Sequence, residues 1–316
     1  MAIVTNTFTR YSAVGMREDL SNVIWNVSPQ DTPFVSNIGK RKITNTTFSW
    51  QQDQLANAAA NAQIDGDDVS SYTAVVATTL RTNFSQIMRK TFIIADNLEV
   101  INEAGRKSEH AYQLVKAGRE LKRDIEYNLC GVNNSKVSGG TSTARETGSL
   151  SSWVATNVSH GSGGSSPGDG TQCTDGTPRA ITETILKAVL QSTWNSGGDP
   201  QMVMVGAHVK TVISGFSGIA ANRYLAPSEG PTVIVGAADV YVSDFGSVSI
   251  VPNRFSRSRD AYVLDPELAA VATLRPIQEI KLAKTGDAEK SMLLFEGGLE
   301  VRNEKGLGAA YDLSTS

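Results

Sequence analysis

The sequence predicts an α+β fold, helices laid against mostly antiparallel sheet, and three observations carry that prediction. The stretch "LEVINEAGRKSEHAYQLVKAGRELKRDIEYNL" (98–129) repeats apolar residues at helical spacing with charge on its other face. Thr- and aromatic-rich runs at Ile43–Leu55 and Tyr72–Ile94 read as strands. The last third is a series of further strand runs cut by Gly and Pro, ending in "KTGDAEKSMLLFEGGLEVRNEKGLGAAYDL", which alternates apolar and polar.

The 316 residues suffice for one large domain or two moderate ones, and a 40% hydrophobic, 19% charged composition excludes wholesale disorder. A formal net charge of −3 provides no basic field for a polyanion, and no basic patch with interleaved aromatics marks a nucleic-acid reader. Cys130 and Cys173 are too few for a disulfide framework and lack metal-type spacing, which suits a reduced compartment. The opening "MAIVTNTFTRYSAVGMREDL" has neither the basic start nor the apolar run of a signal peptide. No stretch approaches the ~20 apolar residues of a membrane span. A protein made and used in a cytoplasm is expected.

In chain order, residues 1–40 read as an arm. Met16–Trp25 suits a short amphipathic helix, which Ser28-Pro29 and Thr32-Pro33 then break. The strand runs between 43 and 94 form a long hairpin around "ANAAANAQIDGDDVSS", a small, polar, acidic tip. So few large apolar residues imply that much of this hairpin is exposed in a lone subunit and covered only by a neighbour. One uninterrupted helix over 96–129 would measure about 45 Å at ~1.5 Å per residue, with Gly131 as its C-cap. Residues 131–178, rich in Gly, Ser and Thr, read as a long surface loop. A second helix follows, capped by Thr177, with Pro178 in its first turn and Gly197-Gly198 at its end. Met202–Val205 is a buried strand leading into a short helix. Strands around Asp244-Phe245-Gly246, a strand with a Pro break after Asp260, and two strands about Thr285-Gly286-Asp287 complete the order.

Chemistry is hard to find. His110, His160 and His208 offer no metal-type pair, nothing in sequence sets an acid beside them, and packing roles are expected. Asp65, Asp67 and Asp68 have a calcium-loop flavour but lack the remaining ligands and the terminal Glu, so a solvated tip is favoured. "GSGGSSPGDG" has no Gly-Lys-Ser/Thr, Ser214–Gly218 has no nucleophile-elbow pattern, and Cys130 at a helix end reads as a buried structural thiol. No catalytic, cofactor-binding or metal-binding residue is assigned. What remains is shape: an arm, a two-stranded hairpin, one long helix and an α+β remainder, arranged as in a subunit built to tile.

Three stretches, "SPQDTPFVSNIGK" (28–40), the helix at 98–129 and "AKTGDAEKSMLLFEGGLEVRNEKGLGAAYDL" (283–313), resemble the major capsid protein of tailed double-stranded DNA bacteriophages. The likeness is to the Hong Kong 97-type (HK-97-type) fold, and most closely to its SU10-like branch. It implies an N-terminal arm (1–40), an extended loop (41–94), and a peripheral domain with spine helix and Gly/Ser-rich insertion (95–178). It also implies an axial domain (179–261) and C-terminal strands returning to the peripheral domain (262–316). The implied function is self-assembly into pentamers and hexamers of an icosahedral virion head, put together in the host cytoplasm. Implied partners are further copies, a portal, a separate scaffolding or decoration protein, and packaged double-stranded DNA held non-specifically inside. Trp25 and Phe34 in the arm, Phe48 and Trp50 in the extended loop, and Arg81 and Arg89 as ion-pair partners are the expected inter-subunit contacts, chosen for exposure and type. Some relatives cross-link through a Lys–Asn isopeptide bond; Lys40 and Lys42 are present, but no catalytic acid can be assigned, so no cross-link is expected.

Rival readings are a tail-tube or decoration subunit, expected to be nearly all β and so disfavoured by the 98–129 helix, an encapsulin-like compartment shell with the same fold, and a hydrolase. The last requires a clustered acid, base and nucleophile.

Overall fold

The structure, a computed structural model, describes residues 31–66, 68, 72–101, 108–216 and 239–315. The first elements are a one-turn helix α1 (Pro33–Asn37), the edge strand β1 (Gly39–Lys42), and the hairpin of β2 (Thr47–Gln52) and β3 (Thr79–Phe84). Strand β4 (Gln86–Ala95), the short helix α2 (Asp96–Val100) and the spine helix α3 (Glu109–Glu126) follow. After β5 (Asn157–Ser159) come α4 (Glu183–Asn195), β6 (Met202–Val205) and α5 (Ala207–Ser214). The chain then runs through β7 (Val240–Ser243), β8 (Gly246–Pro252), β9 (Ala261–Leu264), β10 (Ala269–Lys281), β11 (Ala288–Val301) and β12 (Gly308–Ala310).

Two sheets organise the core. The first has the order β1-β10-β11-β4, antiparallel except for the β1–β10 pair. The second, β5-β12-β9-β6-β8-β7, gathers strands from the Gly/Ser-rich region, the middle of the chain and the C-terminus. The expected boundary at 261/262 falls inside β9.

Strand β11 departs from its expected alternation. From Leu293 to Val301 every residue is buried, because β11 is central in its sheet and both of its faces are covered. The polar positions of the alternation, Glu296 and Glu300, are therefore inside, and ion pairs make that tolerable. Glu296 accepts from Arg145 at 2.6 Å and Arg275 at 2.7 Å, and Glu300 from Arg41 at 2.7 Å.

The long helix is shorter than its sequence suggests. Ile101 closes α2 in extended backbone (φ −78, ψ 136), and Ser108, also extended, caps α3 by accepting the Ala111 N–H at 3.2 Å. Eighteen residues give α3 about 27 Å. Its buried face, Ala117, Leu121 and Ile125, lies on the main core with Phe34, Val271 and Phe295. A π-helical turn, Tyr127–Gly131, ends it, and Gly131 is not a left-handed cap. A Cβ there would lie 2.1 Å from the Phe255 carbonyl oxygen, so glycine is needed for close approach.

Thr182, not Thr177, caps α4, its side chain accepting the Ile185 N–H at 3.3 Å; the preceding residues instead bridge Arg179 to Leu313. Gly197, with φ +87, does terminate that helix. Within the region expected as a surface loop, residues 147–154 prove to be core, while 140–144 and 171–172 are exposed. Leu150, Trp153 and Val154 are fully buried and Trp153 packs 5.2 Å from Trp50. Buried Ser149, Ser151 and Ser152 are admitted because their hydroxyls bond to one another, to Asn133 and to the Ser149 carbonyl.

Candidate functional site

Five of the six expected contact residues lie among the described residues. Phe34, Phe48 and Trp50 are buried in this chain's own core, which corrects the exposure expected of them. The pleat explains two of the three: Phe48 and Trp50 share the face of β2 turned toward Trp153, while Thr47 and Gln51 face outward. Phe34 is the buried residue of α1, and the Glu126 carboxylate accepts its N–H and that of Val35, each at 2.8 Å. Arg81 is half-buried opposite Trp50 and donates to Gln52 Oε1 at 3.2 Å within the same hairpin. Arg89 is exposed on β4 and has no ion-pair partner among the described residues. Trp25 lies outside the described residues.

What the hairpin does expose is its tip. Residues 53–66 and 72–80 are exposed throughout, including Leu55 at 92%, Ile64 at 83% and Val75 at 97%, together with Tyr72 and Val76. Such an apolar segment is unusual on a lone globular chain. Its sequence signal was available: scattered aliphatics among Ala, Asn and Gln with no partner run nearby. The hairpin's base, by contrast, is anchored. Asn83, fully buried, donates to the Leu299 carbonyl at 2.7 Å and to Thr147 Oγ1 at 3.0 Å, and its Oδ1 accepts the Gly148 N–H at 2.9 Å.

A second exposed surface is the outer edge of β1, where Lys40, Arg41 and Lys42 project from an edge strand. A third is the far edge of the other sheet, with Val240 and Val242 exposed on β7 and Trp194 packed on Phe245.

Buried charge elsewhere ties segments together. Glu304 accepts the backbone N–H groups of Ala155 and Thr156 at 3.2 and 3.0 Å, holding the Gly/Ser-rich region to the C-terminus. Arg257 pairs with Asp175 and, at 3.3 Å, with Asp260, which also accepts the Tyr262 hydroxyl at 2.8 Å. Burial, partly countered by Arg257, pushes the Asp260 carboxyl up to about 6. Burial likewise raises Glu126, against its hydrogen bonds from Val35, Phe34 and Asn253.

One cluster has the residue order of a hydrolytic triad. Ser166 Oγ lies 2.9 Å from His160 Nε2, and His160 Nδ1 lies 3.5 Å from Asp312 Oδ2, so an acid does stand beside a histidine. The arrangement is structural. Asp312 is saturated by Arg259 at 2.8 Å and the Gly161 and Gly176 N–H groups at 3.0 and 2.8 Å. Ser166 also hydrogen-bonds Cys173 Sγ at 3.2 Å, and burial lowers the His160 basicity that a general base would need. Cys130 is buried, donates to the Glu126 carbonyl at 3.1 Å, and is held protonated by burial. No group of three metal-ligating side chains occurs among the described residues, and no helix among them is long and apolar enough to cross a membrane.

Comparison with known proteins matches this architecture to shells. A family model described as SU10 major capsid protein matches residues 3–314. The major capsid protein of Escherichia phage Phieco32 is 28% identical, over 96% of each chain. Among solved structures, the capsid asymmetric unit of cyanophage A-1(L) superposes with a TM-score of 0.69 at 11% identity, covering 95% of this chain and 98% of that one. An assembly of phage G major capsid and decoration proteins contains a chain with a TM-score of 0.54 at 10% identity, covering 99% of this chain and all of that one.

Proposed function

The chain belongs to the SU10 major capsid protein family, and from that premise we propose how its surfaces build a shell. It is the major capsid protein of a phage, a structural component of the virion with the Hong Kong 97-type fold, and not an enzyme. In the proposed assembly, copies form rings of five and six that close into an icosahedral head around double-stranded DNA, held non-specifically inside. Each extended loop lies over a neighbouring subunit, and weak contacts add through symmetry.

The observation that supports this best is the exposed hairpin end at 53–66 and 72–80, which leaves Leu55, Ile64, Tyr72, Val75 and Val76 bare on a hairpin whose base is locked by Asn83. An element with a rigid root and bare aliphatic side chains at its end suits coverage by another copy. Residues 95–178 and the C-terminal strands act as the peripheral wall, and residues 179–261 as the axial part around the ring centre. The exposed β7 edge, with Val240 and Val242, is then a ring contact. A portal and a separate scaffolding or decoration protein, the latter as in the phage G assembly, complete the partner set, with assembly in the host cytoplasm.

Light scattering with negative-stain microscopy of the purified full-length chain tests the proposal. Rings or closed shells tens of nanometres across are expected. A strict monomer, unchanged on co-expression with its genomic neighbours, overturns it.

A further inference from the structure

The solvent side of α3 gathers positive charge that the linear sequence conceals. Ala117, Leu121 and Ile125 turn to the core, and spacing of three and four sets Lys116, Arg119, Lys122 and Arg123 away from it. Of the acids on this helix, Glu109 and Glu126 are buried, and Asp124 is paired with Lys90 at 2.7 Å. Glu120 alone is left to offset the four cations.

The strip continues past both flanks of the helix. Lys40 of β1 shares the wall of a groove with Lys122. Arg123 lies over the Phe255 ring at 5.5 Å, a contact that fixes a guanidinium without neutralising it, and Arg254 is exposed at the preceding position. None of these six cations is in an ion pair with a described residue. A chain with a formal net charge of −3 thus carries a strongly basic strip on one side. No single window of sequence shows it, because core residues interrupt the helical cations and Lys40 and Arg254 come from distant segments.

We propose that this strip is the surface that meets the packaged double-stranded DNA, through its phosphates. Lys116 to Arg123 spans about 10 Å of helix axis, and a duplex carries about six phosphate charges over that length. The two charge densities are therefore comparable. The nearby amides of Gln113 and Asn128 are engaged with Glu109 and with the Asp124 carbonyl, so the strip offers phosphate contacts and no base reading. A few such contacts per subunit are weak alone and add up over the copies in a shell. This rests on the capsid reading above and deepens it, by naming the face turned to the genome.

Lysine acetylation of DNA-filled and emptied heads tests it. Lys116 and Lys122 should react at least about fivefold more slowly in filled heads, while Lys281 and Lys284, exposed outside the strip, should differ by less than about twofold. In dissociated subunits, Lys116→Gln, Arg119→Gln and Lys122→Gln together should weaken binding to a duplex of about 20 base pairs by about tenfold at low salt. They should also reduce the slope of log K against log salt by about two to three. A control variant with the same change in charge, Lys187→Gln with Lys281→Gln and Lys284→Gln, should stay within about twofold of the parent. Thermal melting checks that both variants fold.

Equal loss of duplex binding in the two variants reduces the effect to net charge and overturns the proposal. So does equal reactivity of Lys116 and Lys122 in filled and emptied heads. Strip variants that bind duplex like the parent, yet build no heads with a co-expressed scaffolding protein, would also overturn it, assigning the strip to a protein partner. If the parent chain builds no shell, the capsid reading falls by itself, and duplex binding by the subunits still decides what the strip takes.

Discussion

The Glu126 carboxylate meets the Phe34 backbone N–H at 2.8 Å although 92 residues separate them in sequence. The same carboxylate accepts the Val35 N–H at 2.8 Å and the Asn253 side-chain amide at 2.6 Å. One buried side chain therefore joins the arm segment, the spine helix and the strand end after β8. Glu126→Ala leaves those three donors without an acceptor and is expected to destabilise the subunit by about 3–5 kcal/mol. Glu126→Gln keeps one acceptor oxygen and should cost less. Urea unfolding of dissociated subunits measures both, and hydrogen exchange should show residues 33–38 losing protection first in the Ala variant. Equal losses from both variants would contradict this account.

Asp260 makes stability depend on pH in a particular direction. Its carboxyl is raised from 3.8 to about 6 by burial, so the folded chain holds the proton more tightly than the unfolded chain does. The contribution of the protonated form is complete below about pH 4 and is lost as pH rises through about 6, roughly 3 kcal/mol in all. Asp175 opposes this: its hydrogen bond from Arg257 lowers it, so its contribution fades as pH falls. Comparison with Asp260→Asn isolates the first effect. The stability difference between the variant and the parent should shift in the variant's favour by about 3 kcal/mol between pH 4 and 7. A difference that stays constant with pH would refute the assignment.

Two glycines near the spine helix should respond oppositely to alanine. Gly118 is helical, and a Cβ there meets nothing within 4 Å, so Gly118→Ala should stabilise the subunit by about 0.5–1 kcal/mol. A Cβ at Gly131 would collide with the Phe255 carbonyl oxygen at 2.1 Å and with the Tyr127 ring at 2.5 Å. Gly131→Ala should therefore cost about 3 kcal/mol or prevent folding. Thermal melting of the two purified variants decides it.

The exposed tip should also be the first place a protease cuts. In dissociated subunits, elastase should nick within 53–78, where Leu55 and Val75 are almost fully exposed, before it touches the buried stretch 147–154. In assembled shells the same segment should be protected at least tenfold if neighbours cover it. Equal cutting rates in both states would argue against coverage.

Local rules made much of this legible. The apolar spacing of Leu121 and Ile125 marked the inward face of α3, and the strand composition of Met202–Val205 marked a buried strand. Compositional rules failed where burial was satisfied by hydrogen bonds. Ser149, Ser151 and Ser152 look like loop residues until their hydroxyl partners are known. Phe48 and Trp50 carried a sound signal for burial by type, but type alone cannot say whether the covering surface is the chain's own. The His160–Asp312 contact joins the Gly/Ser-rich region to the C-terminus, and no spacing rule reaches that far.

The sequence by itself determined the kinds of element, their order, and an extended hairpin whose tip has no core of its own. These depend on neighbours one to four residues away, through pleat, helical turn and backbone preference. Only the tertiary structure decided which charges are internal. Acids belong on a surface by residue type, yet Glu126, Glu296, Glu300, Glu304 and Asp312 are buried because their respective partners, Phe34, Arg145, Arg41, Ala155 and Arg259, arrive from remote segments. A carboxylate is tolerated inside only when such donors surround it, and that condition belongs to the fold as a whole.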